Sequence, residues 1–185
     1  GELTEEGAKL LDKTGTFGGK INFCPPEGDA GTGMVATNSI AVKTGNVSAG
    51  TSIFGMVVLE NELKKRYEEI DIVATPDGNP VAMVHCNNCS TDLDSYVKLF
   101  GETLSLFGAN VSKSELYDKL YEASLSADDD LGVLITCNYH SGEHVTGFTE
   151  GRPLLIKTAD SKFTVGNLMR CLVYSAMATL KLGMD

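Results

Sequence analysis

Two short segments carry residue types suited to moving or holding a charged group. In the first, Glu27-Gly28-Asp29-Ala30-Gly31-Thr32-Gly33, an Asp stands among closely spaced glycines. Glycine frees the backbone to turn tightly and to approach a ligand closely, and a carboxylate within such a turn can project into a cleft as a base. Met34 to Ile40 can follow as a helix whose N-terminus faces an anion. The same spacing fits Asp29 as a helix cap, and by spacing alone that is the commoner role. No G-x-x-x-x-G-K-[ST] run occurs and the glycines depart from the dinucleotide fingerprint, so neither of those phosphate loops is present. The second segment is Asn46-Val47-Ser48-Ala49-Gly50-Thr51-Ser52. A Gly-Thr-Ser turn between strands exposes backbone N–H groups and two hydroxyls, a set that suits phosphate oxygens. Small polar residues also fill hairpin turns for purely local reasons.

Three further segments invite a metal or redox reading and fit it poorly. Cys86-Asn87-Asn88-Cys89 is a C-x-x-C, but no second pair exists, no H-x-E lies upstream, and on a strand His85 points away from Cys86. His140-Ser141-Gly142-Glu143-His144 matches H-x-x-E-H, yet it follows a strand and contains Ser-Gly, so a loop is expected rather than the helix a zinc peptidase needs. Asp128-Asp129-Asp130 lacks the interleaved ligands and glycine of a calcium loop and reads as a solvated turn. No metal ligand is assigned.

The elements that must position the first two segments can be read from periodicity. Leu3 to Leu11 is a short helix and Ile21 to Cys24 a short strand before Pro25-Pro26. Residues 46–58 form two strands around the Gly50-Thr51-Ser52 turn, and Ile70–Thr75 and Val81–Cys86 flank the hairpin signal Pro76-Asp77-Gly78. Leu93, Tyr96, Val97, Phe100, Leu104 and Phe107 recur at helical spacing, and Ser112 with Glu115 forms a capping box before a second helix. Gly132 to Cys137 is another strand. Val165, Leu168, Met169, Leu172, Val173, Ala176, Met177 and Leu180 make an apolar stripe about four turns long, with Gly183 as its stop. Strands first and helices later predict an α/β layer fold, a sheet packed on helices, and the hairpins disfavour an all-parallel sheet.

A length of 185 residues suits one domain or one lobe of something larger. The net charge of −10 argues against a nucleic-acid surface, but not against a nucleotide site, where backbone N–H groups and a metal ion hold the phosphates. No run approaches the roughly 18 apolar residues of a membrane helix, and Gly1 to Leu10 lacks an apolar signal core. A cytoplasmic protein without membrane or nucleic-acid partners is expected. The five cysteines, at 24, 86, 89, 137 and 171, are expected to be reduced, buried thiols. The opening without Met and the ending just after a strong helix suggest a piece of a longer protein.

Taken together and in order, these segments resemble the FGGY family of carbohydrate kinases, in its xylulokinase-like branch. Gly28-Asp29 and the small residues after it resemble the loop that opens that family's C-terminal lobe. Val47-Ser48-Ala49-Gly50-Thr51-Ser52 resembles its second phosphate loop, Tyr139-His140-Ser141-Gly142-Glu143 its Gly-Glu segment, and Val165 to Leu180 the long helix that follows. The resemblance implies a ribonuclease H-like fold of the actin, heat-shock ATPase and sugar kinase superfamily, a mixed sheet flanked by helices. Residues 1–185 would be a single partial domain, the first part of the C-terminal lobe, without the N-terminal sugar-binding lobe and the adenine-binding segment.

The resemblance also implies roles. Asp29 would be the catalytic base, Gly50, Thr51 and Ser52 would hold ATP phosphates, and Gly28, Ala30 and Gly31 would form a loop beside substrate and phosphate. ATP and Mg²⁺ would be the cofactors, and a ketopentose such as xylulose the acceptor in the full-length protein, with the chain alone inactive. The sequence departs from the family at His85-Cys86-Asn87-Asn88-Cys89-Ser90, where many relatives carry a glycine-rich stretch, so nucleotide contacts there are not carried over. An ATP-driven switch or chaperone on the same superfamily fold is the alternative. The particular sugar and the oligomeric state, a homodimer included, are left open by these residues.

Overall fold

The computed structural model describes residues 2–16, 21–22 and 28–185. After a short helix, α1 (Glu5–Leu11), capped by the Thr4 side chain on the Gly7 N–H, comes α2 (Asp29–Ala36). Four strands then build the main sheet: β1 (Gly45–Ala49), β2 (Ile53–Val58), β3 (Asp71–Ala74) and β4 (Pro80–Cys86). Their spatial order is β1-β2-β4-β3 and every pairing is antiparallel, with Ala49 opposite Ile53 across the first hairpin and Ala74 opposite Pro80 across the second. Helices α3 (Ser90–Leu106) and α4 (Lys113–Leu125) follow. A two-stranded ribbon of β5 (Ile135–Cys137) and β6 (Leu154–Ile156) precedes α5 (Val165–Met184).

Alternation along the strands divides the core. On β2 and β4, Phe54, Met56, Val58, Val81 and Met83 face α2 and close over Met34, whereas Ile53, Val84 and Cys86 face α5 and meet Ala176 and Leu180. Both faces of β2 are therefore covered, which explains its near-continuous apolar run. The N-terminal half of α5 serves a second core, where Leu168, Met169, Cys171 and Leu172 pack on Leu93 and Val97 of α3, Leu116 and Leu120 of α4, and Leu134. A helix of 20 residues is about 30 Å long, long enough to bridge both cores, and α5 does so.

Four sequence expectations shift. The helix expected over Met34–Ile40 begins instead at Asp29 and ends at Ala36, because Asn38 turns left-handed (φ 53°). Asn38 N–H donates to the Val35 carbonyl and Ser39 N–H to that of Met34, the reciprocal pattern of a Schellman stop. Burial of Met34 outweighs the poor helix propensity of Gly31 and Gly33. The strand expected from Gly132 starts at Ile135, since Gly132 sits at φ 63° in a 3₁₀ turn over Leu131–Val133. Gly183 does not stop α5. It lies buried within the last turn, where a Cβ would come 2.5 Å from Val84 Cγ1, so its missing side chain lets helix and sheet approach. Of the expected strand Ile21–Cys24, Asn22 makes an isolated antiparallel bridge to Glu2, and Cys24, with Pro25 and Pro26, lies outside the described residues, as does Glu27.

Candidate active site

The Gly50-Thr51-Ser52 turn is fixed by its carbonyls. Gly50 C=O accepts from Ser90 N–H at 3.0 Å, and Thr51 C=O accepts from Cys89 N–H at 3.2 Å and from the Thr91 hydroxyl at 3.4 Å. These donors stand at the start of α3, where N–H groups have no partner within the helix. A trans peptide points its N–H opposite to its C=O, and no peptide bond in the described residues is cis. The peptide that gives the Gly50 carbonyl to α3 thus turns Thr51 N–H away from the helix, and the next turns Ser52 N–H away likewise. Gly50 N–H is spent within the turn on the Ser52 carbonyl at 2.8 Å. Thr51 is exposed and Ser52 half-buried, so two N–H groups face away from α3 on a turn that also carries two hydroxyls, donor types a phosphate needs.

Asp29 is the first residue of α2. The cap position falls to Gly28, which offers no side chain, so Asp29 is not the cap, although its carboxylate stands on the positive end of the helix. It is exposed and accepts the Ala30 N–H at 2.9 Å. Ala30 packs toward Met34, Gly31 is half-buried in the same turn, and Gly28 is exposed with open space where a Cβ would be. The helix rests on β1, the strand that leads into the Gly-Thr-Ser turn, with Gly33 against Asn46. Among the described residues no hydrogen bond or ion pair joins Asp29 to Gly50–Ser52.

Behind the turn lies a buried polar network. The Glu143 carboxylate, 0% exposed, accepts Asn87 N–H at 2.9 Å, Asn88 Nδ2 at 3.1 Å and Val145 N–H at 3.4 Å, and His144 Nδ1 is 3.5 Å away. Asn88, 2% exposed, also donates to Gly142 C=O at 2.5 Å and accepts Ser141 N–H at 2.9 Å. Asp92, in the first turn of α3 and 0% exposed, accepts His140 N–H at 3.4 Å, while its second oxygen and His140 Nε2 are buried without a partner among the described residues. Burial raises the Asp92 carboxyl above its ordinary value, the nearby His140 offsets part of this, and Glu143 adds to the rise. Glu143 and His140 were quoted from the sequence, in the Gly-Glu segment and the H-x-x-E-H run, but Asn88 and Asp92 were not singled out as site residues. Asn88 stood in a stretch read only as a departure, and an Asp near the start of a helix reads as a surface residue; no periodicity announces its burial. A groove of about 1170 Å³ along α3 and α4, lined by Thr91, Asp94, Lys98 and His140 among others, opens beside this network.

The competing motifs take other roles. Cys86 ends β4 and Cys89 precedes α3, both as free buried thiols. Burial, then the Glu143 charge and Cys89, push the Cys86 thiol up to about 12, so it stays protonated and unreactive. Cys137 is exposed, against the expectation that the cysteines are buried. His85 lies across the strand pair from Phe54, on the face opposite Cys86. The segment His140–His144 is a turn followed by a 3₁₀ turn over His144–Thr146, so its histidines do not share a helix face. Asp128 bonds Lys162 and Asn167, and Asp130 caps the turn at Gly132.

The described residues form an α/β layer fold, an antiparallel sheet with helices against both faces and a Gly-Thr-Ser turn docked on the start of the next helix. The family model for the C-terminal domain of the FGGY family of carbohydrate kinases matches residues 45–185. The chain therefore belongs to the FGGY carbohydrate kinases. Its fold is similar to xylulose kinase from Rhodospirillum rubrum (TM-score 0.67, 16% identity, 95% of this chain and 32% of that one). It is likewise similar to xylulose kinase from Bifidobacterium adolescentis (0.60, 17%, 83% and 28%) and to gluconate kinase from Lactobacillus acidophilus (0.56, 14%, 79% and 28%). The chain thus spans about a third or less of the length of these structures. No curated protein matches the sequence. No helix among the described residues is long and apolar enough to cross a membrane.

Proposed function

We propose that this chain supplies the phosphate-holding part of a cytoplasmic, ATP-dependent sugar kinase. In the full-length protein, ATP phosphorylates a ketopentose such as xylulose. The observation that carries the reading is the carbonyl lock between Gly50-Thr51 and the start of α3, which turns two N–H donors outward. The reach of the R. rubrum likeness over 95% of the chain supports the inclusion of α2 and Asp29 in the same lobe, upstream of the family match. Residues 1–185 form the first part of that lobe, and the N-terminal sugar-binding lobe and adenine-binding segment come from elsewhere in the protein.

The chemistry follows from the charges. Thr51 and Ser52 hold ATP phosphate oxygens through N–H and hydroxyl donors, with Gly50 keeping the turn tight. Asp29, exposed at the start of α2, accepts the proton of the sugar hydroxyl as its oxygen bonds the γ-phosphorus and the bond to the departing ADP oxygen breaks. Gly28, Ala30 and Gly31 keep the backbone around Asp29 compact enough for the acceptor to approach. The exposed Asp29 carboxylate and the Thr51 and Ser52 hydroxyls are oxygen donors of the kind Mg²⁺ takes; a bound ion would keep most of its waters and would supply charge neutralisation on the phosphates.

The test is Asp29→Asn in the full-length kinase with xylulose, ribulose, gluconate and glycerol as acceptors. A fall in sugar-dependent turnover of about 10²–10⁴-fold is expected, and near-normal turnover refutes the base assignment. ATP turnover that is the same with and without every sugar refutes the kinase reading.

A further inference from the structure

Resting on that reading of the phosphate turn, we propose that Glu143 and Asn88 are positioning residues for ATP: a buried clamp that sets the outward donors of Thr51 and Ser52 without touching the nucleotide.

The chain of contacts is continuous. Glu143 and the Gly142 carbonyl hold both sides of Asn87-Asn88. The next two residues, Cys89 and Ser90, give their N–H groups to the carbonyls of Thr51 and Gly50. The carbonyls that set the outward direction of Thr51 N–H and Ser52 N–H are thus held by the residues one and two positions after Asn88. A rotation of the Asn88-Cys89 segment acts directly on the two backbone bonds that hold the Gly50 and Thr51 carbonyls; the turn's other ties are the Thr91 hydroxyl on the Thr51 carbonyl, the Gly50–Ser52 backbone bond and the Ala49–Ile53 strand pair.

The composition of the clamp also marks it as more than packing. A fully buried carboxylate is costly unless several donors satisfy it, and Glu143 draws its donors from two loops more than fifty residues apart in sequence. The Asn88 amide is used at both ends: its oxygen takes Ser141 N–H and its nitrogen gives to Gly142 and Glu143. That satisfies three loop groups with one side chain and leaves little freedom. The remainder of the Gly-Glu loop is fixed by the reciprocal Glu143–Phe148 backbone pair at 2.7 and 2.9 Å. The fixed loop is the anchor, and the turn is what it aims.

The test compares ADP with adenosine binding to the full-length kinase, by calorimetry, in wild type, Asn88→Ala, Glu143→Ala and Glu143→Gln. Adenosine has no phosphate and reports the rest of the nucleotide site. Asn88→Ala and Glu143→Ala are expected to weaken ADP at least tenfold and leave adenosine within twofold, with KM for ATP rising and KM for the sugar unchanged. Glu143→Gln keeps an acceptor for Asn87 N–H and is expected to lose less than Glu143→Ala. If Asn88→Ala or Glu143→Ala does not fold, Glu143→Gln carries the same measurement. Equal weakening of ADP and adenosine, or unchanged affinities with only a lower melting temperature, overturns the positioning role. A wild type that binds no ADP overturns the functional reading itself, whereas variants that bind ADP like an active wild type overturn the clamp alone.

Discussion

Asn167 is the residue whose removal the structure prices most directly. It is 1% exposed on the first turn of α5. Its oxygen accepts Asp128 N–H at 2.8 Å, and its nitrogen donates to Asp128 Oδ2 at 2.9 Å and to Lys162 C=O at 2.8 Å. Asn167→Ala removes all three bonds. A net hydrogen bond is worth about 1 kcal/mol, but the Asp128 side chain is 39% exposed and water replaces that partner, so its share is discounted. The other two bonds, with the void left over Gly132, bring the expected loss to about 2–3 kcal/mol. With a urea m-value of roughly 2 kcal/mol/M, the unfolding midpoint falls by about 1–1.5 M. Lys162→Ala is the control. It removes only the exposed 3.0 Å ion pair with Asp128 and keeps the Lys162 carbonyl, so its unfolding midpoint is expected to stay close to that of wild type. An Asn167→Ala midpoint within about 0.3 M of wild type, or equal to that of Lys162→Ala, refutes the reasoning.

Two further outcomes are expected. Asp92 has its carboxyl raised by burial, so the folded state prefers it protonated; this contribution favours folding below the unfolded value near 3.8 and is lost as pH rises through the raised folded value. Asp92→Asn removes that dependence, and its unfolding midpoint relative to wild type is expected to improve from pH 3 to pH 7; a pH-independent difference contradicts it. Gly151→Ala places a Cβ against the His140 carbonyl and 2.5 Å from the Tyr139 carbonyl, both rigid backbone, and is expected to cost about 2 kcal/mol or more in urea unfolding. A loss under about 0.5 kcal/mol shows that the loop moves aside freely.

Much of the fold was legible because its signals are local. Both hairpins announced themselves by turn residues between β-branched runs, and the Ser112 cap and the α5 stripe are patterns that a helix's own geometry imposes. Local signals failed where packing decided. Gly183 has the chemistry of a stop, but Val84 needs the space its side chain would fill, and α2 forms through two glycines because Met34 is buried beneath it. Asp92 and Asn88 carry no mark of burial, since nothing in their own neighbourhood tells a surface polar residue from one closed over by a loop fifty residues away.

What the sequence by itself determined is the set of local elements and the chemical types at two turns, an Asp among glycines and a Gly-Thr-Ser hairpin, because hydrogen bonding and steric preference act over a few residues. Only the tertiary structure decided which groups on those turns face outward. Gly50 N–H is closed within its own turn, and Thr51 and Ser52 N–H face away from α3 because the carbonyls beside them are held by Cys89 and Ser90. That direction depends on a contact between residues some forty positions apart, and no local preference encodes it.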